Sequence, residues 1–287
     1  MHIREDFSSG LFSIGSRGGR QPWFYHQQGA FLGRDPKAIV SITLKGLSVT
    51  IPHYSLTGRG AEDHIKFIFW RNDVEPETGA VGTRAPPQGA LVYEVRGRAE
   101  PMGTAANPFD VSLEDYRLSC GAALSTDLTT HIGCHFLFTS TKAFVAYERN
   151  LLTGVEGGGG ASFCYVIPVA EFGSGTEHTY RISYSREMNT ASWSLDGKQV
   201  FATGDLGKRL GDEYDQFLAY SDPSTGTSTC TPPDHRICGA GLLTLLDAGK
   251  PKGEGLVDLD LPETPKGMKI FGQGGKLVIS EIQIWTE

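Results

Sequence analysis

Segment after segment of this chain alternates side-chain character with a period of two. In DHIKFIFW (63–70), Ile65, Phe67 and Phe69 oppose His64, Lys66, Ile68 and Trp70. In LVYEVRGRAE (91–100), Leu91, Tyr93, Val95, Gly97 and Ala99 oppose Val92, Glu94, Arg96, Arg98 and Glu100. Successive strand residues point to opposite faces, so this pattern specifies half-buried strands. Strands are likewise expected in AIVSITLKGLSVTIP, a hairpin over 38–52, and in the pair CHFLFTST and KAFVAYERN. ASFCYVIPVAEF, HTYRISYSRE, TASWSLDGKQVFATG and the terminal KLVISEIQIWTE complete the set. The 37 glycines and 15 prolines are spread along the chain, as turns between many strands require. Helical spacing is confined to 112–124 and 211–220, each expected as a short helix. GVEGGGGAS (154–162) reads as a flexible turn and 221–241 as a long irregular loop. That loop suggests a lid or rim element within 205–255. With no linker or repeat, the expectation is one all-β, antiparallel sandwich domain over 1–287.

The net charge of −7 comes without any Lys/Arg-rich run, which argues against nucleic acid as a partner. No apolar run approaches the ~20 residues of a membrane-spanning helix. The N-terminal residues MHIREDFSSGLFSIG lack the apolar stretch of a secretory signal, so a cytoplasmic location is expected unless a signal was removed. Five irregularly spaced cysteines fit a reduced protein better than a disulfide framework. A Cys230–Cys238 bridge remains open for an exported form.

Three features together resemble the concanavalin A-like lectin and glucanase sandwich. They are the opening REDFSSG, the segment HTYRISYSREMNTASWSLDGKQVF (178–201), and the closing LVISEIQIW. The resemblance implies a jelly-roll sandwich, with Trp193 and Leu195 facing the core and Asp196-Gly197 in the hairpin turn. It also implies a last strand lying beside the first, and a curved sheet whose concave face holds the ligand. Laminarinase-type members carry E-x-D-x-x-E on a cleft strand, and that motif does not occur here. A retaining mechanism needs two carboxyls ~5–5.5 Å apart. Glu94 and Glu100 stand about 20 Å apart along one strand. The likeness therefore fits a microbial branch of the superfamily that lacks the glycosidase motif.

On the cleft reading, the charged row of LVYEVRGRAE forms part of the floor. His64, His135, Glu94 and Arg96 are then the candidates for acid/base work and oxyanion stabilisation. Lys66, Trp70, Arg98, Tyr147, Glu148 and Arg149 are the candidates for holding substrate. The competing reading makes the charged row a solvated outer face. In KAFVAYERN, Tyr147 and Arg149 share a side and Glu148 takes the other, so a shift of one residue exchanges them. HIGCH (131–135) has Cys and His close together but lacks a paired C-x-x-C, and no metal site is expected. No phosphate loop, dinucleotide fingerprint or nucleophile elbow is present, and no cofactor is expected. The leading expectation is a cofactor-independent cyclase, isomerase or lyase acting on a small oxygenated metabolite. The alternatives are a lectin-like carbohydrate-binding module and a glycoside hydrolase with a rearranged acid pair. The expected partner is accordingly a small-molecule substrate or a glycan.

Overall fold

The computed structural model describes residues 1–58, 60–150, 162–222, 232–248 and 255–287. Two antiparallel sheets pack face to face. The first runs in the order Lys198–Thr203, Thr190–Leu195, His178–Ser185, Leu91–Met102, Gly274–Thr286, Gly46–Ile51, Ile39–Thr43. The first strand, His2–Glu5, pairs with the far half of Gly274–Thr286, so the chain ends beside its beginning. The second sheet runs Leu218–Asp222, Ser162–Glu171, Lys142–Arg149, Ile132–Phe138, Cys120–Thr126, His235–Leu243, Ile65–Arg71, Trp23–Tyr25, Ile14–Gly15. Only the short last pair is parallel. The architecture is an antiparallel jelly-roll sandwich.

The main core lies between the sheets and is rich in aromatics. Phe138 and Tyr180 stack across it with ring centres 4.2 Å apart. Trp193 donates its indole N–H to the carbonyl of His135 at 2.9 Å. Trp193 and Leu195 both face this core, and the Asp196-Gly197 turn has both residues at positive φ, as a two-residue hairpin turn of this hand requires.

The second sheet is apolar on its other face too. Phe24, Ile68, Trp70, Leu124, Leu137, Phe144, Ala146 and Val166 form a separate cluster there, with Tyr116, Leu245 and Ala248 packed on it. This double burial explains where the sequence pattern misled. Residues 112–124, expected as a helix, instead lead into the strand Cys120–Thr126, whose faces are both covered by small or apolar residues. Residues 211–220 form a short 3-10 turn, Asp212–Phe217, and then the edge strand Leu218–Asp222. The expected loop over 221–241 runs into the central strand His235–Leu243. Its glycines are required there. A Cβ on Gly239 would sit 2.0 Å from the carbonyl oxygen of Phe69, and one on Gly241 would sit 2.1 Å from that of Phe67. Thus 205–255 supplies two strands of the second sheet. The glycine run at 154–161 and Cys230 lie outside the described residues, while Cys238 is a buried free thiol.

Candidate functional site

Polar groups gather on the face of the second sheet turned away from the main core. Register sets them in rows. Glu148 on Lys142–Arg149 lies between Cys164 and Gly133 of the flanking strands. The next row runs Val166, Ala146, His135, Leu124, Gly239, Trp70 and Phe24. Gly133 is what lets the two rows touch: a Cβ there would lie 2.3 Å from Nε2 of His135 and 2.7 Å from Cγ of Glu148.

Across that gap His135 Nε2 and Glu148 Oε1 are 3.0 Å apart. The tautomer follows from the other ring nitrogen. The backbone N–H of Ser125 donates to His135 Nδ1 at 3.2 Å, so Nδ1 is an acceptor and Nε2 carries the proton. Asn150 Nδ2 also donates to Oε1, at 2.6 Å. Both nitrogen donors fall on Oε1, and neither reaches Oε2. Burial pushes the Glu148 pKa up, but the hydrogen bond from His135, the thiol of Cys164 and the charge of His64 outweigh it. The carboxyl is held below its usual range.

His64 reaches this face from the entry to Ile65–Arg71, with Nδ1 3.8 Å from Asp247 Oδ2. Burial lowers its pKa. The nearby carboxylate of Asp247, with the charge of Glu148, raises it more, and the net shift is upward despite Lys66. His26 takes the indole N–H of Trp70 on Nδ1 at 3.3 Å, and burial together with His64 pushes its pKa down to about 4. The face thus offers an ionised carboxylate, an imidazole inclined to the charged form and a neutral imidazole. The same face carries a groove of about 410 Å³, lined by Tyr116, Phe144, Val166, Gln216, Phe217 and Ala248 among others and by none of these three groups.

Of the residues singled out in the sequence, His64, Trp70, His135 and Glu148 come together here. The others do not. Glu94 and Arg96 lie on the outer face of the first sheet, where Glu94 accepts from Arg181 at 2.8 Å and Arg96 pairs with Glu177 at 2.6 Å. Arg98 is on the same sheet, past a bulge at Arg96/Gly97. The charged row of LVYEVRGRAE is therefore an outer face and not a cleft floor, because Tyr93 and Val95 take the core side. Tyr147 and Arg149 also turn into the molecule. The Tyr147 hydroxyl donates to the Lys208 carbonyl and accepts from Gly207 N–H, and Arg149 donates to the Gly207 carbonyl. Lys66 is buried, donating to the Ser55 carbonyl at 2.8 Å. Within HIGCH, Cys134 faces the core and His135 the outer face, so the two cannot share a metal. No group of three or more metal-ligating side chains is found among the described residues.

The sequence reading passed over His26, Asn150, Ser125 and Asp247. Two of these were legible. His26 shares strand parity with Phe24, and Asn150 with Glu148. Asp247 sits in a loop, and Ser125 acts through its backbone, so neither left a side-chain pattern to find.

A family model matches residues 4–287. The chain belongs to that family, described as a family of unknown function (DUF6081). No curated protein matches it. Among solved structures it is similar to the Crh5 transglycosylase in complex with NAG, at 14% identity and a TM-score of 0.49 over 99% of this chain and 84% of that one. It is similar to a Bacillus licheniformis β-glucanase at 12% identity and a TM-score of 0.45, over 100% and 98% of the two chains. An alginate lyase of Pseudomonas aeruginosa gives 13% identity and a TM-score of 0.43, over 86% of each chain. No residue role is transferred at these identities. Among the described residues, no helix is long and apolar enough to cross a membrane.

Proposed function

We propose that this member of the family is a carbohydrate-active enzyme that works by acid/base chemistry, with Glu148 as the base and His64 as the acid. The observation that carries the reading is the ionised Glu148, held on Oε1 by two N–H donors with no hydrogen bond from either to Oε2. Oε2 would take a proton from water or from a substrate carbon. His64, kept toward its charged form by Asp247, would give one to the departing oxygen. Hydrolysis by an activated water and β-elimination use these two groups in the same way, and the product distinguishes them. His135 positions the carboxylate. The aromatic face of Tyr116 suits the C–H side of a sugar ring, and the carboxylate and imidazoles suit its hydroxyls.

The comparisons give no support to a small-metabolite cyclase or isomerase. A retaining double displacement also lacks support. It needs a second carboxylate close to Glu148; Asp247 is engaged with His64, and Glu114 and Asp115, which line the groove, are engaged with Ser140 and Arg117. The test is to incubate the protein with β-glucans, alginate and chitin-derived oligosaccharides. New reducing ends and the absorbance of unsaturated products are then measured. Either product, lost in Glu148→Gln, supports the proposal. Glycan binding without turnover would move the protein to the lectin-like reading. Full activity in Glu148→Gln would remove the assignment of the base.

A further inference from the structure

One charged side chain in the main core is out of keeping with its surroundings. Arg236 is 1% exposed, and no carboxylate lies in salt-bridge contact with it among the described residues. A buried guanidinium without a counter-ion is costly, and its hydrogen bonds show what it holds. Nε donates to Ser125 Oγ at 2.8 Å, and Nη2 donates to the Ser125 carbonyl at 2.6 Å and the Ile132 carbonyl at 3.4 Å. Its plane lies over the Tyr184 ring, 5.4 Å from the centre. Ser125 is the residue whose N–H, on the other side of the sheet's hydrogen-bonding network, meets His135 Nδ1.

We propose that Arg236 is a positioning residue for Glu148: it pins Ser125 from the core side, and the Ser125 N–H then holds His135 in the tautomer that donates to the carboxylate. The inference rests on the reading of Glu148 as the reacting group. The chain of contacts runs Arg236, Ser125, His135, Glu148 across four strands and from one face of the sheet to the other. Its links are 2.6–2.8 Å, 3.2 Å and 3.0 Å. Ile132 is bound by the same guanidinium and belongs to the strand that carries His135. Arg236 therefore fixes both strands whose spacing sets the Ser125–His135 contact. A neutral side chain of similar length would fill the space without holding either carbonyl.

The decisive measurement is the nitrogen NMR spectrum of the imidazoles in uniformly labelled protein, which reports which ring nitrogen of His135 bears hydrogen. Wild-type protein is expected to show Nε2–H alone. Arg236→Met, checked for folding by its thermal transition, is expected to show a mixture of tautomers at His135 and an unchanged His178. Should that variant not fold, Arg236→Lys serves, since an ammonium cannot span the three acceptors in this fork geometry. On any glycan that the wild type turns over, kcat should fall about 10-fold or more with KM little changed, as for other outer partners of a working residue. A pure Nε2–H tautomer in the folded variant would overturn the proposal and leave Arg236 a packing residue. This readout needs no substrate. Its failure is therefore distinct from a failure of the carbohydrate assignment, which would show as no turnover by the wild type.

Discussion

His135 Nε2 and Glu148 Oε1 lie 3.0 Å apart, on adjacent strands, across a glycine that leaves no room for a side chain between them. The contact converts a strand-borne glutamate into an oriented carboxylate. Removing its charge while keeping its shape tests it most directly. Glu148→Gln should fold normally and lose about 10²–10⁴-fold in turnover on a glycan substrate. His135→Ala should lose less, because Asn150 still donates to Oε1. Equal activity for both variants and wild type, measured as initial rates, would show that the chemistry lies elsewhere.

The same groups set the pH dependence. Glu148 is held below the usual carboxylate range, so the acid limb of kcat/KM should fall at lower pH than a free glutamate would give. His64 is held above the usual imidazole range, so the alkaline limb should lie above that of a free histidine. Asp247 supplies the largest upward contribution to His64. Asp247→Asn should therefore move the alkaline limb to lower pH and leave the acid limb in place. A pH–rate profile of the two proteins on one substrate decides this, and an unmoved alkaline limb would free His64 of the acid role.

The fold was largely legible in the sequence because the first sheet has one face on the core and one on solvent. The segments 178–201 and 276–287 alternate cleanly for that reason. Legibility failed in part of the second sheet, where Cys120–Thr126 and His235–Leu243 are covered on both faces and show no alternation. ICGAG read as a loop because glycine usually marks one, whereas here backbone crowding from Phe67 and Phe69 demands it. The site divided along the same line. Strand parity separated Glu148 from Tyr147 and Arg149 correctly, but parity within one strand does not say which side meets the other sheet. LVYEVRGRAE misled as a cleft floor because the outer face of one sheet and the floor of the other carry the same charges. Loop and backbone contributors such as Asp247 and Ser125 follow from tertiary placement alone.

That crowding can be tested at Gly239. Gly239→Ala places a Cβ 2.0 Å from the Phe69 carbonyl oxygen and 2.8 Å from the Trp70 ring, so the Ile65–Arg71 strand must move away. The expected cost is about 1–3 kcal/mol, as for other overpacked sites. It is read as a lower urea midpoint at unchanged slope. Trp70 shifts with the strand, so its fluorescence should change in the folded baseline. An unaltered midpoint would mean that the strands separate at no cost.

Lys66 links stability to pH with a sign opposite to that of a surface lysine gaining a partner. The residue is 2% exposed, and its ammonium donates to the Ser55 carbonyl and lies in the field of Asp63 and Asp35 and over the Tyr54 ring. Those carboxylates are engaged with the backbone N–H groups of Lys37, Ser55, Thr57 and Gly58. Burial outweighs their attraction and lowers the Lys66 pKa from 10.5 to about 8. Between these two values the unfolded chain holds a proton that the folded protein has released. Unfolding then takes up a proton, and the folded state gains stability as pH rises from about 8 toward 10.5. The full span corresponds to roughly 3 kcal/mol. Lys66→Met abolishes this contribution whatever it does to stability at neutral pH. Urea unfolding of wild type and variant at intervals from pH 7 to 10 should therefore give a difference in unfolding free energy that grows in favour of the wild type above pH 8. A constant difference would mean that Lys66 keeps its proton in the folded protein, with Asp35 and Asp63 compensating for the loss of water.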